Sequence, residues 1–380
     1  MGAINKAVMA LFERITDSSE VHIAMFNWTI TEVADRLIEQ LKAHPGAKGR
    51  IIMDPRNFNA AHPKHRARLN DKLRAFAVES GQLTLENDQH PTAGLLNTAE
   101  PSKRRRMHNK FFLFRNLAPT SADDGAYTIA LSSANLTYAE VGESNEMVTV
   151  AGDQGLYQRF LDYWTAMAQS APEYRYKQTH TYSHMHDHLG MFFPSVVQQD
   201  RVLEQLEAFE EGLGKARNPA RVRIAMSIWH RCRKAIAAKL VELYQEHDVD
   251  VKIILKEDLD IALEVYSILQ KLPAGSVRFL PVRHPKLHYG LHSKLMLIDG
   301  PFPFSQGGEA ARQRLTFTGS HNWNHDAHRY NSETWLRIAD KGVYETLEAH
   351  WNELWGKSVD STAMYEGVVY DSTGCWETTN

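Results

Sequence analysis

The sequence has few cysteines, no long apolar stretch and no large excess of charge. Only two of its 380 residues are cysteine, Cys232 and Cys375, which excludes a disulfide-stapled scaffold or a four-cysteine zinc site and allows at most one bridge. No apolar run approaches the roughly 20 residues that span a bilayer, so we expect no transmembrane segment. The 43 basic and 46 acidic residues give a net charge of −3, which excludes a uniformly basic nucleic-acid coat but not local basic patches.

Length and composition indicate a folded protein with more than one structural unit. Hydrophobic residues make up 43% of the chain and charged residues 23%, as in ordinary globular proteins. The chain exceeds the roughly 100–200 residues of a single domain. Its first twenty residues lack the apolar segment of a secretory leader and are typical of a helix start. The location stays open: secreted if a leader was removed before this chain, and otherwise cytoplasmic.

An internal repeat organises the chain. Residues 21–28 read VHIAMFNW and residues 222–229 read VRIAMSIW, and in each copy a helical pattern and a second apolar strand follow. Further along, three more blocks correspond in the same order. The first half has MHNKFFLF, YTIALSSAN and SNE, and the second half has LHSKLMLI, RLTFTGSHN and NSE. Two strand–helix–strand units predict parallel strand pairing within an α/β sheet.

The repeat predicts an α/β fold of two similar lobes related by pseudo-twofold symmetry. Each lobe is expected to hold a mixed β-sheet flanked by helices, with the active site at the lobe interface. We place the first lobe at residues 1–172, a connecting region at 173–215 and the second lobe at 216–380. The connecting region contains a histidine-rich segment at 180–188, which we interpret as a polar loop in preference to a metal site.

Each half carries a histidine, a lysine two positions later and an asparagine further along. These are His108, Lys110 and Asn135 in the first half and His292, Lys294 and Asn322 in the second. Lysine can neutralise a phosphate, imidazole can act as nucleophile or proton donor, and the amide can donate to a non-bridging oxygen. Two facing sets would supply an attacking group and a leaving-group acid on opposite sides of phosphorus. The sequence therefore predicts phosphodiester chemistry that needs no cofactor and no metal.

Four further residues are predicted to support these sets. Ser133 and Ser320 lie two positions before the asparagines and offer hydroxyl groups. Glu146 and Glu333 follow the asparagines by 11 positions in both halves (146 − 135 and 333 − 322), and we expect them to hold a histidine ring nitrogen, as carboxylates do in catalytic triads. The alternative for the asparagines is a role as turn residues after strands, and for the glutamates a solvated position at a strand start.

Basic residues precede both histidines and favour an anionic substrate. The predicted substrate contacts are Arg104, Arg105, Arg106, Lys286 and Trp323. Basic approaches to the site in a mildly acidic protein would attract a polyanion or a membrane surface. The alternatives are solvated loops for the charged residues and core packing for the tryptophan.

The repeated blocks resemble the paired signature of the phospholipase D superfamily, His-x-Lys-x4-Asp followed by Gly-Ser-x-Asn or Gly-Ser-x-x-Asn. The second half matches more fully, with Asp299 and Gly319 in place, whereas the first half has Arg115 and Ser132 at those positions. The resemblance thereby adds Asp299 to the supporting residues of the site. The family aspartate is thought to be structural, so the departures bear on geometry more than on catalysis. The resemblance extends from about residue 21 to residue 333 and is strongest to bacterial phospholipase D-like proteins.

The resemblance implies a metal-independent mechanism with a covalent phosphohistidine. One histidine attacks phosphorus, and the other protonates the leaving alcohol and then activates water or an acceptor alcohol. It implies His108 as the nucleophile and His292 as the acid, although the reverse assignment stays open.

The leading hypothesis is a phospholipase D-type phosphodiesterase that cleaves a phospholipid head group, with transphosphatidylation as a further activity. A nuclease acting on DNA or RNA by the same chemistry and an inactive anion-binding module stay open as alternatives. One chain carries both motifs, so a monomer suffices and no protein partner is expected.

Overall fold

The computed structural model of the protein describes most of the chain. The described residues are 2–59, 64–96, 105–170, 181–182, 188–194, 200–214, 219–256, 261–281, 290–303 and 310–360. Arg104, Lys286, Cys375 and most of the histidine-rich segment lie outside these ranges, so the predictions made for them stay predictions.

The first lobe is built on a six-stranded sheet with the order β3-β2-β1-β4-β5-β6. Its strands are β1 (Glu20–Met25), β2 (Lys48–Met53), β3 (Leu83–Leu85), β4 (Lys110–Arg115), β5 (Tyr127–Ser132) and β6 (Met147–Ala151). Its helices are α1 (Ala3–Phe12), α2 (Thr31–Ala43), α3 (Pro55–Asn59), α4 (Lys64–Ser80), α5 (Glu86–Gln89) and α6 (Gln154–Ala168).

The second lobe is built on a nine-stranded sheet with the order β15-β11-β10-β9-β12-β13-β14-β8-β7. Its strands are β7 (Thr181–Tyr182), β8 (Leu189–Phe193), β9 (Arg221–Met226), β10 (Asp250–Lys256), β11 (Val277–Leu280), β12 (Lys294–Phe302), β13 (Ala311–Gly319), β14 (Glu333–Ile338) and β15 (Val359–Asp360). Its helices are α7 (Arg201–Leu213), α8 (Lys234–His247), α9 (Leu263–Leu269), α10 (His325–Arg329) and α11 (Lys341–Lys357).

The two sheets share one topology, and the expected pair of similar α/β lobes is confirmed. Each lobe has two parallel strand pairings in succession. In the first lobe β1 pairs with β2 and β2 with β3, and in the second lobe β9 pairs with β10 and β10 with β11. The strand that begins after each His-x-Lys motif pairs antiparallel with the first strand, β4 with β1 and β12 with β9. The sequence repeat therefore corresponds to a repeat of strand order.

The motif strands are buried on both faces, which explains their continuous apolar sequence. Along β4, Phe111 and Leu113 point into a core that the two lobes share, whereas Phe112 and Phe114 point into the core of the first lobe. Along β12, Leu295 and Leu297 reach the same shared core from the other side, and the residues between them pack within the second lobe. One shared core therefore contains apolar side chains of both motif strands.

Part of the predicted connecting region belongs to the second sheet. Strand β8 pairs antiparallel with β14, β7 extends the sheet beyond it, and apolar residues of α7 pack into the core of the second lobe. His188, at the end of the histidine-rich segment, accepts a hydrogen bond from the Ala339 backbone N–H at 3.2 Å. The lobe boundaries proposed from the sequence remain a prediction.

Within the described parts of the chain, no helix is both long and apolar enough to cross a membrane.

Candidate active site

The two motif histidines precede β4 and β12 by two residues, and each is anchored to the opposite lobe. The backbone N–H of His108 donates to the carbonyl of Ser332 at 2.9 Å, and that of His292 donates to the carbonyl of Ser144 at 3.0 Å. Each serine lies in the segment that leads to the glutamate of the other half. The side chains of His108 and His292 are 13% and 21% exposed, so solvent and substrate can reach both rings at the lobe interface.

The ring of His108 is oriented by a carboxylate from the second lobe. Its Nδ1 atom lies 2.8 Å from Glu333 Oε2, and Asn331 Nδ2 donates to the other glutamate oxygen at 3.1 Å. Because the carboxylate only accepts, Nδ1 carries the proton and Nε2 is left to meet the substrate. Burial lowers the pKa of His108 to about 4, although the Glu333 charge acts in the opposite direction. The expectation that Glu333 holds a ring nitrogen agrees with this geometry.

The ring of His292 is oriented by an amide instead. Its Nδ1 atom lies 2.8 Å from Asn145 Oδ1, and Ser133 Oγ donates to the same oxygen at 3.3 Å. The nearest carboxylate oxygen, Glu140 Oε2, is 3.5 Å from Nδ1. Burial and then the Lys294 and Lys110 charges place the pKa of His292 well below its ordinary value.

The expectation that Glu146 holds a histidine ring is wrong. Its Oε1 atom accepts hydrogen bonds from the Lys294 backbone N–H and from Thr318 Oγ1, both at 2.9 Å. The preceding residue, Asn145, supplies the ring acceptor in its place. Glu146 therefore ties the first lobe to the start of β12, and its charge opposes the lowering of the Lys294 pKa by burial.

Both motif lysines are fully buried beside their histidines. Lys110 Nζ donates to the His108 carbonyl at 2.7 Å, and Lys294 Nζ donates to the His292 carbonyl. Burial lowers the pKa of Lys110 to about 7 and that of Lys294 to about 8, while nearby glutamates oppose the shift. A buried ammonium without a full counter-charge is suited to hold an anionic group.

The two His-Lys sets come together at one place. The charges of Lys110 and His108 both lower the pKa of His292, and the charge of Lys294 lowers the pKas of His108 and Lys110. Such coupling between residues of different lobes requires that the sets be close in space. The crossed contacts of the two rings, His108 with Glu333 and His292 with Asn145, likewise place both sets at the lobe interface.

The two motif asparagines present different atoms to the site. Asn322 Oδ1 accepts from Ser227 Oγ at 2.9 Å, which leaves its amide N–H group for an anion. Asn135 donates its backbone N–H and its Nδ2 group to the carboxylate of Glu140, and its Oδ1 atom is buried without a partner. Glu140 therefore takes one of the two N–H groups of Asn135 Nδ2, and only the second is left for the expected donation to a phosphate.

The two predicted serines stabilise the strand ends. Both are fully buried. Ser133 Oγ accepts from the Glu146 backbone N–H at 3.0 Å, and Ser320 Oγ accepts from the Thr334 backbone N–H at 3.1 Å. They support the site by fixing β5 against β6 and β13 against β14.

The departures of the first motif from the second lie away from the histidines. Arg115 pairs across the strands with Glu20 at 3.8 Å, and the equivalent Asp299 pairs with Arg221 at 2.9 Å. The same cross-strand ion pair is present in both lobes with its charges exchanged. Arg115 and Asp299 each lie five residues beyond the motif lysine of their strand, so the exchange is away from the histidines.

Ser132 replaces a glycine that the second lobe requires. Gly319 has a φ of +153°, and a Cβ atom there would lie 2.3 Å from the Thr334 carbonyl oxygen. Ser132 adopts no positive φ, and its hydroxyl donates to the Glu146 carbonyl at 3.1 Å.

Among the predicted substrate contacts, Trp323 is buried and Arg106 is exposed. Trp323 is fully buried and packs edge to face on Trp229 at 4.5 Å, so the core takes the surface that a substrate would need. The Arg106 guanidinium lies 5.9 Å from the ring of Phe26, which packs against His108 at 4.8 Å. Arg106, preceded by the half-buried Arg105, therefore lines the approach to the first histidine.

Three functional candidates were not predicted from the sequence: Glu140, Glu143 and Asn145. Five positions after its motif asparagine the first half has Glu140, whereas the second half has Ala327 (140 − 135 and 327 − 322), so the repeat contained no signal for it. Among the described residues, Glu140, Glu143 and His292 form the one group whose potential metal-ligand atoms lie within 4.8 Å of one another. Burial and the Glu140 charge raise the pKa of Glu143 to about 7.

Both lobes match a known protein family. Residues 11–168 and 211–355 match the family model described as cardiolipin synthase, PLD-like domain. A search of curated protein sequences found no significant match.

Solved structures with the same fold differ widely in sequence. Phosphatidylserine synthase from Haemophilus influenzae is 10% identical, with a TM-score of 0.65 over 94% of this chain and 85% of the synthase. Polyphosphate kinase from Porphyromonas gingivalis is 12% identical, with a TM-score of 0.56 over 93% of this chain. The match covers 48% of the kinase, so this chain spans about half of its length. The two family matches, one in each lobe, show that the chain belongs to the cardiolipin synthase, PLD-like domain family of the phospholipase D superfamily, whose members act on phosphodiesters.

Proposed function

We propose that the protein is a phospholipase D-type phosphodiesterase that cleaves a phospholipid head-group ester through a covalent phosphohistidine. The observation that carries the proposal is the meeting of two His-Lys sets from opposite lobes, each histidine with its Nδ1 atom held by the other lobe. The two Nε2 atoms are then the nitrogens that face the substrate, as in-line displacement at phosphorus requires.

In the first step, Nε2 of His108 forms a bond to phosphorus while the bond from phosphorus to the leaving oxygen breaks. His292, in its protonated form, gives its Nε2 proton to that oxygen, and the alcohol departs. In the second step, His292 takes a proton from water, whose oxygen bonds to phosphorus as the His108–phosphorus bond breaks. An acceptor alcohol in place of water gives transphosphatidylation.

The buried ammonium groups and Asn322 would hold the non-bridging oxygens. Lys110 and Lys294 lie in a low-dielectric environment, where their charges stabilise a developing negative charge more strongly than they would in water. The bound phosphodiester in turn raises the pKas of both lysines and of His292. Substrate binding therefore favours the protonated form of the acid that the first step needs.

The unequal partners of the two rings favour His108 as the nucleophile. Attack on phosphorus leaves a positive charge on the ring of His108, and the buried Glu333 carboxylate offsets that charge. The amide of Asn145 carries no charge and keeps His292 a stronger acid. In the reverse assignment the Glu333 carboxylate would contact the ring of the acid, and the ring of the nucleophile would have no counter-charge.

Incubation with lipid vesicles and with plasmid DNA, both in chelator, tests the proposal. We expect head-group release from the vesicles, and loss of release in the His108→Ala and His292→Ala variants. A phosphorylated His108 trapped in the His292→Asn variant would identify the nucleophile. Absence of turnover on both substrates would support an anion-binding module instead.

A nuclease using the same residues is the second candidate. Arg105 and Arg106, which precede the first motif, favour it, since they line the approach to the site and would attract a polyanion. Plasmid nicking without head-group release would support this alternative.

A further inference from the structure

Phe26 follows directly after β1 and lies beside the first motif set. Its backbone N–H donates to the Asn109 carbonyl at 2.9 Å, and its carbonyl accepts from Asn57 Nδ2 at 2.7 Å. Met25 before it and Trp28 after it are buried in the core of the first lobe, whereas Phe26 is half-buried. The two backbone contacts therefore fix a partly exposed phenyl ring at the end of the strand.

The Phe26 ring contacts functional groups of the first set. It packs against the His108 imidazole with the ring centroids 4.8 Å apart and the planes at 61°. The Lys110 ammonium lies over the ring at 5.2 Å from its centroid, within the roughly 6 Å over which an aromatic face attracts a cation. One ring thus contacts both the group that we assign as the nucleophile and the ammonium beside it.

The charge of Lys110 has no directly bonded counter-ion among the described residues. The side chain is fully buried, and its Nζ atom donates to the neutral carbonyl of His108 at 2.7 Å. Three carboxylates and one further lysine act on it through space: Glu333, Glu140, Asp54 and Lys294. An aromatic face stabilises a desolvated ammonium without neutralising it, so the charge stays available to a phosphate.

The equivalent position in the second lobe has no aromatic ring. Phe26 and Ser227 each lie five positions after the first valine of the repeated strand block (26 − 21 and 227 − 222). Ser227 donates to Asn322 Oδ1 at 2.9 Å, and the charge that most opposes the burial of Lys294 is that of Glu140. The fold therefore does not require an aromatic side chain here, and the ring is specific to the lobe that holds the assigned nucleophile.

We propose that Phe26 is a positioning residue of the first set, whose aromatic face stabilises the Lys110 ammonium next to the nucleophile. This inference rests on the proposed function and adds a residue that acts through Lys110 and not on the reacting atoms. The contact with His108 places the ring where it also restricts movement of the imidazole about its bond to Glu333.

The test measures the affinity for inorganic phosphate against pH in the wild-type protein and in Phe26→Leu. Leucine keeps an apolar side chain and removes the aromatic face, which at a desolvated site favours the charged form roughly tenfold. Burial places the pKa of Lys110 at about 7, so its protonated fraction at that pH should fall from about one half to about one eleventh. We therefore expect phosphate to bind about fivefold more weakly at pH 7 and less than about twofold more weakly at pH 5.5, where Lys110 is protonated in both proteins.

Two further variants and a control separate this effect from a loss of packing. Phe26→Tyr keeps the ring and should restore the wild-type profile, and Phe26→Trp, whose face attracts cations more strongly, should move the loss of affinity to higher pH. The matched control is Phe76→Leu, which removes a ring 5.7 Å from the Lys42 ammonium on the helices α4 and α2 and should leave the profile unchanged.

The outcomes distinguish the inference from the proposed function. Equal losses of affinity at every pH would indicate packing alone and overturn the inference, and so would identical profiles in wild-type, Phe26→Leu and Phe26→Trp proteins. Continued turnover of bis-p-nitrophenyl phosphate in those cases would uphold the proposed function. Absence of diester turnover in the wild-type protein would refute the proposed function, while the phosphate profiles would still decide the inference.

Discussion

Replacement of Glu333 by glutamine tests the role assigned to His108. The carboxylate is fully buried, lies 2.8 Å from His108 Nδ1 and accepts from Asn331 at 3.1 Å through its other oxygen. Glutamine has almost the same shape but only one acceptor oxygen. Either His108 or Asn331 must then face an N–H donor, and the positive charge that forms on the His108 ring loses its counter-charge.

The expected loss can be bounded from the geometry. Hydrogen bonds to charged groups contribute about 1.5–3 kcal/mol, and an ion pair at 2.8 Å in an effective dielectric of about 20 has a Coulomb energy of about 6 kcal/mol, which is an upper limit. Since about 1.4 kcal/mol changes a rate tenfold, we expect kcat to fall between about tenfold and 10⁴-fold. The replacement of the triad aspartate by asparagine in serine proteases lies near the upper end of this range.

The assay is single-turnover cleavage of bis-p-nitrophenyl phosphate, with the pH profile recorded alongside. The matched control is Asn145→Ala, which removes the neutral acceptor of the other histidine and should cost about 1 kcal/mol, or about fivefold. Circular dichroism and thermal unfolding would check that both variants fold. Near wild-type turnover in Glu333→Gln would refute the positioning role, and a larger loss in Asn145→Ala than in Glu333→Gln would reverse the assignment of the two histidines.

Two further predictions follow from shifted pKas. Inorganic phosphate should bind more weakly as the pH rises through about 7 and 8, because Lys110 and Lys294 lose their protons there. Calorimetric titration measures this affinity, and a constant affinity from pH 6 to about 9 would contradict the prediction. Burial lowers the pKa of His22 to about 4, so its contribution to stability is lost as the pH falls from its unfolded value of about 6.5. Urea unfolding at pH 8 and pH 5 should show a decrease about 2 kcal/mol larger in wild-type protein than in His22→Phe, and equal decreases would contradict the assignment.

Local patterns in the sequence determined the strand–helix–strand units and their repetition in two lobes. The apolar runs after each His-x-Lys motif predict strands buried on both faces, and β4 and β12 are such strands. The repeated blocks predict a repeated topology, which the two sheets confirm. These features could be predicted because alternation, helical period and block order are properties of residues near one another along the chain.

The tertiary structure alone decided which side chains meet across the lobes. Glu333 and His108 are separated by 225 residues, and Asn145 and His292 by 147. The repeat predicts equivalent partners for the two rings, yet the packing of the lobes brings Asn145 to His292 and directs Glu146 to the start of β12.

The burial of Trp323 and the turning of the Asn135 amide toward Glu140 were decided in the same way. The physical reason is that a shift of one residue in a loop, or a small change in how two sheets pack through a shared core, exchanges the atoms within hydrogen-bond reach. Such a shift leaves the local sequence pattern unchanged.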